Sequence, residues 1–492
     1  MKKYLLFCII YISQIFANVQ VVIYDSTQYA KGNTIFGTID GAKSAIIDMY
    51  GNEIWNSDPN EPLIYFNFAD VRSSVSGPLQ PNVKFFGGRY CESCQYDFIS
   101  TKFSLIEPTG ADFVWEDPNL EFSHHEISEL PWGDYMGIIH EYRDGPVYPN
   151  AFDDVYVDAG CTPTWTDSCW SWQGDRLVIW DKDTKAINWS WSTFVHFDMG
   201  DFHPDEWDQI PVDDGVVYPF DWTHVNAFYF DDQDNTILIS TRNLSRITKI
   251  QYPSGAIIWN MGPESPSPES ISGEVTFGGD LGFSWQHSIS LTNEDNIILF
   301  DNGNYAVDHG VADVPTSRAL EIALLGCPGV FCQAELVWEY TLPTNLFSST
   351  SGNAQKLENG NYLITTIANL GTTLEVVPTS PETGEIIWRA DYTTEGIYRA
   401  SRLPSCMYAP GNILGDSFWN VQDIVVLANC VLADNCASLG NSCAANVNGD
   451  TCQEENGCAT GENYGDPLFN VQDIVVLANC VLADNCASAL SD

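Results

Sequence analysis

Histidine is scarce in this 492-residue chain, with eight in all, yet three open segments of one pattern. These are "HEISELPWGDYMGIIH" from His125, "HVNAFYFDDQDNTILIST" from His224 and "HSISLTNEDNIILFDN" from His287, each an alternating run, a polar turn and a second run. A fourth segment, "GNAQKLENGNYLITT" from Gly352, aligns with them but lacks the histidine. Arg242 closes the second run of the His224 segment, and Asn226 sits two residues into the first. Imidazoles and a guanidinium with no matching carboxylate in the motif favour a tetrahedral oxyanion, because arginine offers a fork of donors suited to sulfate or phosphate. Three histidines could also hold Zn²⁺ or Cu²⁺; a fixed guanidinium beside a dication argues against that here.

Residues so far apart meet only if the fold repeats. A strand-turn-strand unit ending in apolar-Trp recurs six times, at Trp55, Trp115, Trp189, Trp259, Trp338 and Trp388. Residues 222–260 show one unit whole, with "THVNAFYF", "NTILIST", "RITKIQ" and "AIIW" as strands separated by "DDQDN" and "PSG" turns. Period-two alternation and turn residues at each break support strand throughout. Four antiparallel strands per unit, repeated six times, predict an all-β, six-bladed β-propeller over residues 18–404. Rotation about its axis would bring the entries of the innermost strands, and so His125, His224 and His287, to one channel mouth. A concave mouth lined with convergent polar groups is the usual form of a binding site. The tryptophans read most simply as packing between blades.

Composition narrows the partners. With 20 Lys and Arg against 66 Asp and Glu, a formal charge of -46 argues against nucleic acid and anionic membranes. Residues 1–17, with two lysines, an apolar run and Ala17, read as a secretory signal peptide. No other stretch approaches the roughly 20 apolar residues of a membrane span, so export to a secreted or extracellular location is expected. Among the 15 cysteines, the pairs Cys91/Cys94, Cys161/Cys169 and Cys327/Cys332 read as local disulfides of an oxidising compartment.

Residues 405–492 follow another pattern, in which "NVQDIVVLANCVLADNCAS" occurs at 420–438 and again at 470–488. Ile424, Leu427, Val431 and Leu432 fall on one face, so each copy is expected to form a short amphipathic helix. With Asp423 and Asp473 at position 12 of the acidic loop before each helix, Asp416 and Asp466 take position 5 and Asn420 and Asn470 position 9. Oxygen ligands at those spacings can surround Ca²⁺. The pattern resembles the duplicated calcium loop-helix of dockerin modules, although Leu414 and Tyr464 stand at position 3, where an oxygen is expected. Disulfides are the alternative staple. The resemblance implies calcium in this module and a cohesin-like or cell-surface protein as its partner.

"DWTHVN", "ILISTRNLS", "WQHS", "LFDNGN", "GEIIW" and the closing "YRASRLP" together resemble the arylsulfotransferase family from about residue 20 to 404. Members of that family are six-bladed propellers that move sulfate from a phenolic sulfate ester to another phenol without a nucleotide donor. The resemblance implies that His287 is the nucleophile that becomes sulfated. It implies also that His125, His224 and Arg242 hold the sulfuryl oxygens, that Asn226 helps orient them, and that no cofactor or metal enters catalysis. Ser288 stands where an acidic residue commonly follows the nucleophile, so the partner orienting His287 is left open. His124 can replace His125 in the alignment, and His140 and Asn302, at the ends of equivalent second strands, are further candidates for the channel lining. The competing reading is a non-catalytic extracellular propeller, an adhesion, scaffold or anion-binding protein.

Overall fold

The computed structural model describes residues 19–56, 85–90, 101–106, 112–114, 123–147, 152–201, 212–262, 275–276, 281–325, 333–403, 421–433 and 471–483, with breaks at 26, 31, 39–43, 165, 167, 214–215, 358, 382 and 394–395. The expected signal peptide, Cys91/Cys94, Cys327/Cys332, Trp115, and the loop ligands Asp416, Asn420, Asp466 and Asn470 lie outside the described residues.

The chain is mostly β, and five sheets of four or five strands form the blades of a propeller. The 225–261 blade shows why. Val225–Asp231, Thr236–Thr241, Arg246–Gln251 and Ile257–Met261 pair in sequence order as an antiparallel meander. Thr236–Thr241 is buried on both faces between its neighbours, so its β-branched run reads as continuous rather than alternating. The 127–192, 287–341 and 353–392 blades repeat the order, and Val19–Tyr24 adds to the outer edge of the last. A further sheet of three antiparallel strands, Phe85–Tyr90, Thr101–Ile106 and Asp112–Val114, stands between the first and second full blades in the chain. Five full blades are therefore seen among the described residues, against the six expected.

Tryptophans pack between blades as their repeat position suggests. Trp259, Trp338 and Trp388 are buried. Trp189 and Trp191 donate Nε1–H to the Pro253 and Gly255 carbonyls of the next blade, each at 2.9 Å. Trp388 does the same to Met49 O across the junction of the last and first blades. The Cys161–Cys169 disulfide is formed, as its spacing suggests.

Closure of the ring uses both ends of the propeller. Ile397–Arg402 is the inner strand of a sheet whose other members are Thr34–Thr38, Ser44–Ile47 and Glu53–Asn56. Arg402 ends that strand in the interior, where Nη1 meets Glu375 Oε2 at 3.0 Å and Nε donates to Thr34 Oγ1 at 3.0 Å. Both charges are fully desolvated, so each depends on the other.

Val421–Ala433 and Val471–Ala483 form the two helices expected from the repeat, and they pack against each other. Their inward face differs from the expectation. Asp423, Leu427 and Cys430 are buried, whereas Leu432 is 82% exposed. The i, i+4, i+7 stripe is thus built around a buried aspartate and a disulfide-bonded cysteine, not around the aliphatic residues alone. Among the described residues no helix is long and apolar enough to cross a membrane.

Glu375→Ala would leave Arg402 buried without its counter-charge. Equilibrium urea denaturation is expected to show a loss of about 3–5 kcal/mol; a loss under about 1 kcal/mol would mean that closure does not lean on this pair.

Candidate functional site

The inner-strand entries carry the residues singled out by the sequence, at slightly different registers. His125 lies two residues before Ile127–Glu129, His224 one before Val225–Asp231, and His287 begins His287–Leu291. His125 and His224 adopt left-handed backbone with φ of 60° and 49°, a conformation costing a non-glycine residue about 1–3 kcal/mol. The turn that enforces it at His224 is held by Arg242 N and Asn243 N, which donate to His224 O and Thr223 O at 3.1 and 3.2 Å. Register shifts after Val225 and after His287 add a bulge to each strand, the usual device for re-aiming a side chain.

The structure supplies an orienting partner for His287 that the sequence left open. Its ring is 1% exposed, and Nδ1 lies 2.7 Å from Asn302 Oδ1 and 3.1 Å from Trp285 O. Asn302 cannot be turned round, because its Nδ2 donates to Ser348 O and Ser351 O. Both groups facing Nδ1 are acceptors, so Nδ1 carries the proton and Nε2 keeps its lone pair. Burial, and after it the Arg242 guanidinium, hold this imidazole well below its ordinary value of 6.5. Gly303 lets the chain turn after Asn302, since a Cβ there would meet Thr316 O at 1.8 Å.

Around His287 the other candidates converge. His125 and His224 lie with ring centroids 4.8 Å apart. His224 Nδ1 donates to Asp221 Oδ2, and His125 Nδ1 bonds the Tyr398 hydroxyl at 2.9 Å. Burial first, then His224, hold His125 well below the usual imidazole range. The Arg242 guanidinium lies 3.7 Å over the Trp285 ring and donates from Nη1 to Asn243 Oδ1 at 2.7 Å. Stacking on an aromatic face fixes the plane of the fork without consuming its donors.

Two expected ligand contacts have other occupations. Asn226, fully buried, gives a side-chain N–H to Gln286 O at 2.8 Å, and its backbone carbonyl accepts from Arg399 Nη2 at 2.9 Å. Asn302 sits beneath His287 and not in the mouth. His124 and His140 form a separate stack, centroids 3.8 Å apart and 13° between planes, with His124 meeting the edge of His125 at 5.0 Å. Both lie against Asp175, whose Oδ1 is 3.1 Å from His124 Nε2 and 3.6 Å from His140 Nδ1. Burial, then His140, push the His124 imidazole down to about 4. Burial opposes ionisation of Asp175, but these two histidines outweigh it and keep the carboxyl well below the usual range.

Sequence reasoning missed Asp175, Asp221, Trp285, Tyr398 and Arg399. Asp221 stands three residues before His224 inside "DWTHVN", and Tyr398 and Arg399 lie in the closing "YRASRLP"; a carboxylate at i−3 to a histidine was the available signal for the first. Asp175 has no local signature, because its partners come from other strands. Chemically, the assembled group is a neutral imidazole with a free Nε2 lone pair, flanked by two more imidazoles and an oriented guanidinium. It can present a nucleophile to the centre of an oxyanion whose outer oxygens meet donors.

No curated protein matches the chain. Solved structures that resemble it include a protein of unknown function from Bacteroides caccae (9% identity, TM-score 0.39, covering 75% of this chain and 98% of that one). A putative 6-phosphogluconolactonase from Bacteroides uniformis gives 8% identity and a TM-score of 0.40 over 76% of this chain and 100% of that one. The periplasmic gluconolactonase PpgL of Pseudomonas aeruginosa gives 9% and 0.34 over 76% and 99%. At such scores these likenesses carry no argument about activity. The family model described as Arylsulfotransferase (ASST) matches residues 164–399, a span that holds His224, Arg242, His287, Asn302 and the closing Arg399. Residues 164–399 are therefore an arylsulfotransferase-family domain.

Proposed function

We propose that this chain moves a sulfuryl group from a phenolic sulfate ester to a phenolic acceptor through a sulfohistidine on His287, without a nucleotide donor. The observation that carries the reading is the Asn302 to His287 hydrogen bond, which leaves the Nε2 lone pair available. In the first half, Nε2 attacks sulfur in line as the S–O bond to the aryl group breaks. The leaving phenolate takes its electron pair and a proton from His224, whose Nδ1 is held by the Asp221 carboxylate. Nδ1–H stays on the sulfated ring and faces the Asn302 carbonyl, which favours the positive charge that develops there. In the second half the acceptor hydroxyl gives its proton back to that histidine, its oxygen attacks sulfur, and the S–N bond breaks to restore Nε2. Arg242 is suited to the equatorial oxygens in both halves, as donors are in phosphoryl transfer.

Asp221 and Tyr398 act in this scheme as positioning residues for His224 and His125. Asn226 is assigned the same kind of task, tying two blade entries together through its bond to Gln286 O. The three-stranded 85–114 sheet is the sixth blade in this reading, and residues 405–492 form a calcium-binding, dockerin-like module on an exported enzyme. The resident chemistry needs no cofactor.

Incubation with 4-nitrophenyl sulfate followed by intact-mass analysis should show an added SO₃ that His287→Ala abolishes, with turnover falling roughly 10³-fold or more. No adduct, with nitrophenol release equal in the two proteins, would leave a non-catalytic anion-binding propeller. Arg242→Ala should lower kcat by roughly 10²–10³-fold, the usual cost of one oxyanion donor. The pH profile gives a third check. His287 reacts only when neutral, and its folded value is depressed, so single-turnover sulfation should stay level as pH falls through 6.5 and decline only well below it. Arg242→Ala removes a positive neighbour and should move that acid limb to higher pH, though burial, the larger cause, remains.

A further inference from the structure

The stack of His124 and His140 over Asp175 is not needed for sulfuryl transfer, and its donor atoms are left in an unusual state. His124 is 4% exposed and Asp175 1% exposed. All four ring nitrogens of His124 and His140, and Oδ1 of Asp175, make no hydrogen bond, although His124 Nε2 and His140 Nδ1 approach Oδ1 to 3.1 and 3.6 Å. Buried polar atoms are nearly always paired, so orphaned atoms of three neighbouring side chains, one from each lying within 4.8 Å of the others, call for an occupant. The other carboxylate oxygen is fully committed, since Asp175 Oδ2 accepts from Thr223 Oγ1 at 2.6 Å and from Val225 N at 2.7 Å. Those two bonds hold the carboxylate so that Oδ1 alone is presented to the rings.

We propose that His124, His140 and Asp175 form a three-ligand site for a divalent transition-metal ion of zinc's class. One nitrogen from each ring and one carboxylate oxygen lie within 4.8 Å of one another. Metal–ligand bonds of about 2.0–2.1 Å in a tetrahedral site put neighbouring ligand atoms about 3.4 Å apart. The observed separations from Oδ1, 3.1 and 3.6 Å, fall on either side of that value. Two imidazoles and one carboxylate are a donor set that favours zinc, cobalt or iron over calcium or magnesium, which prefer all-oxygen sites. Arg242 lies with His287 and Trp285, on the other side of the His125 and His224 rings in the chain of contacts. The bonds from Thr223 Oγ1 and Val225 N orient the ligating carboxylate and fix it to the residues on either side of His224. All three ligands belong to the 127–192 blade and its entry, and an ion there would fix the Asp175 carboxylate that holds Thr223 and Val225 on either side of His224. The proposal is independent of sulfuryl transfer.

The full chain, stripped with a chelator and dialysed, is titrated with Zn²⁺ by calorimetry and with Co²⁺ by visible absorption. One equivalent of Co²⁺ is expected to give the intense d–d bands of a tetrahedral nitrogen-oxygen site, and Zn²⁺ should displace it. His140→Ala should weaken Zn²⁺ about 100-fold or more and erase the bands while leaving far-ultraviolet circular dichroism unchanged. If that variant fails to fold, His140→Gln replaces it, and the wild-type Co²⁺ spectrum still decides. Absence of tetrahedral bands in the wild type, or a folded His140 variant that binds Zn²⁺ as tightly, overturns the proposal.

Discussion

The pairing of Ile397–Arg402 with Thr34–Thr38 is the constraint on which both fold and site depend. A propeller without closure is an open row of sheets with unpaired edges at each end, and this strand removes the junction by joining residues more than 350 apart in sequence. Its register, Thr34 with Arg402 through Gly37 with Arg399, sets which side chains face inward. Two of them, Tyr398 and Arg399, reach the histidine cluster, the first through His125 and the second through the Asn226 carbonyl. Arg402 then locks the same strand against Glu375. Closing the ring and completing the mouth are one event.

The same logic recurs around the ring. Each of four blades lends a buried polar side chain to the inner strand of the next. Asp175 accepts from Val225 N, and Asn226 donates to Gln286 O. Asn302 donates to Ser348 O and Ser351 O, and Asn353 makes two bonds with Ala400. Inner strands of different blades share no ladder, so their entry backbone would be left with buried, unpaired groups unless side chains served them. These residues therefore stand beside the site for a structural reason, and their chemistry is inherited from it. Asn302 is the clearest instance: because its amide nitrogen is tied to the next blade, its carbonyl has no choice but to face His287.

This explains what could be read from the sequence. The 225–261 blade was legible strand by strand, because alternation and Gly/Asn/Asp turns are local signals, and so was the convergence of His125, His224 and His287 once a rotational repeat was found. Asn226 and Asn302 were legible as site residues but not in what they do, since their partners, Gln286, Ser348 and Ser351, lie 46 to 60 residues away. Asp175 was invisible for the same reason. In the C-terminal repeat the helices were plain and their inward face was not: counting aliphatic residues put Leu432 inside, whereas Asp423 and Cys430 take the buried positions. Hydrophobic pattern cannot anticipate a buried carboxylate or a disulfide.

Electrostatics decide how so many basic groups can share one mouth. Two imidazolium charges at the 4.8 Å spacing of His125 and His224 would repel by about 3–4 kcal/mol at an effective dielectric near 20. Burial resolves this by pushing His124, His125 and His287 downward, so that none of the three is charged at neutral pH. Fixed positive charge is then left to arginine, which cannot be neutralised, and each guanidinium is held: Arg242 on Trp285, Arg399 on Glu126 and Asn226. A protein of formal charge -46 thus keeps a local, oriented positive group without a cationic surface, and burial holds the His125 and His287 imidazoles beside it neutral.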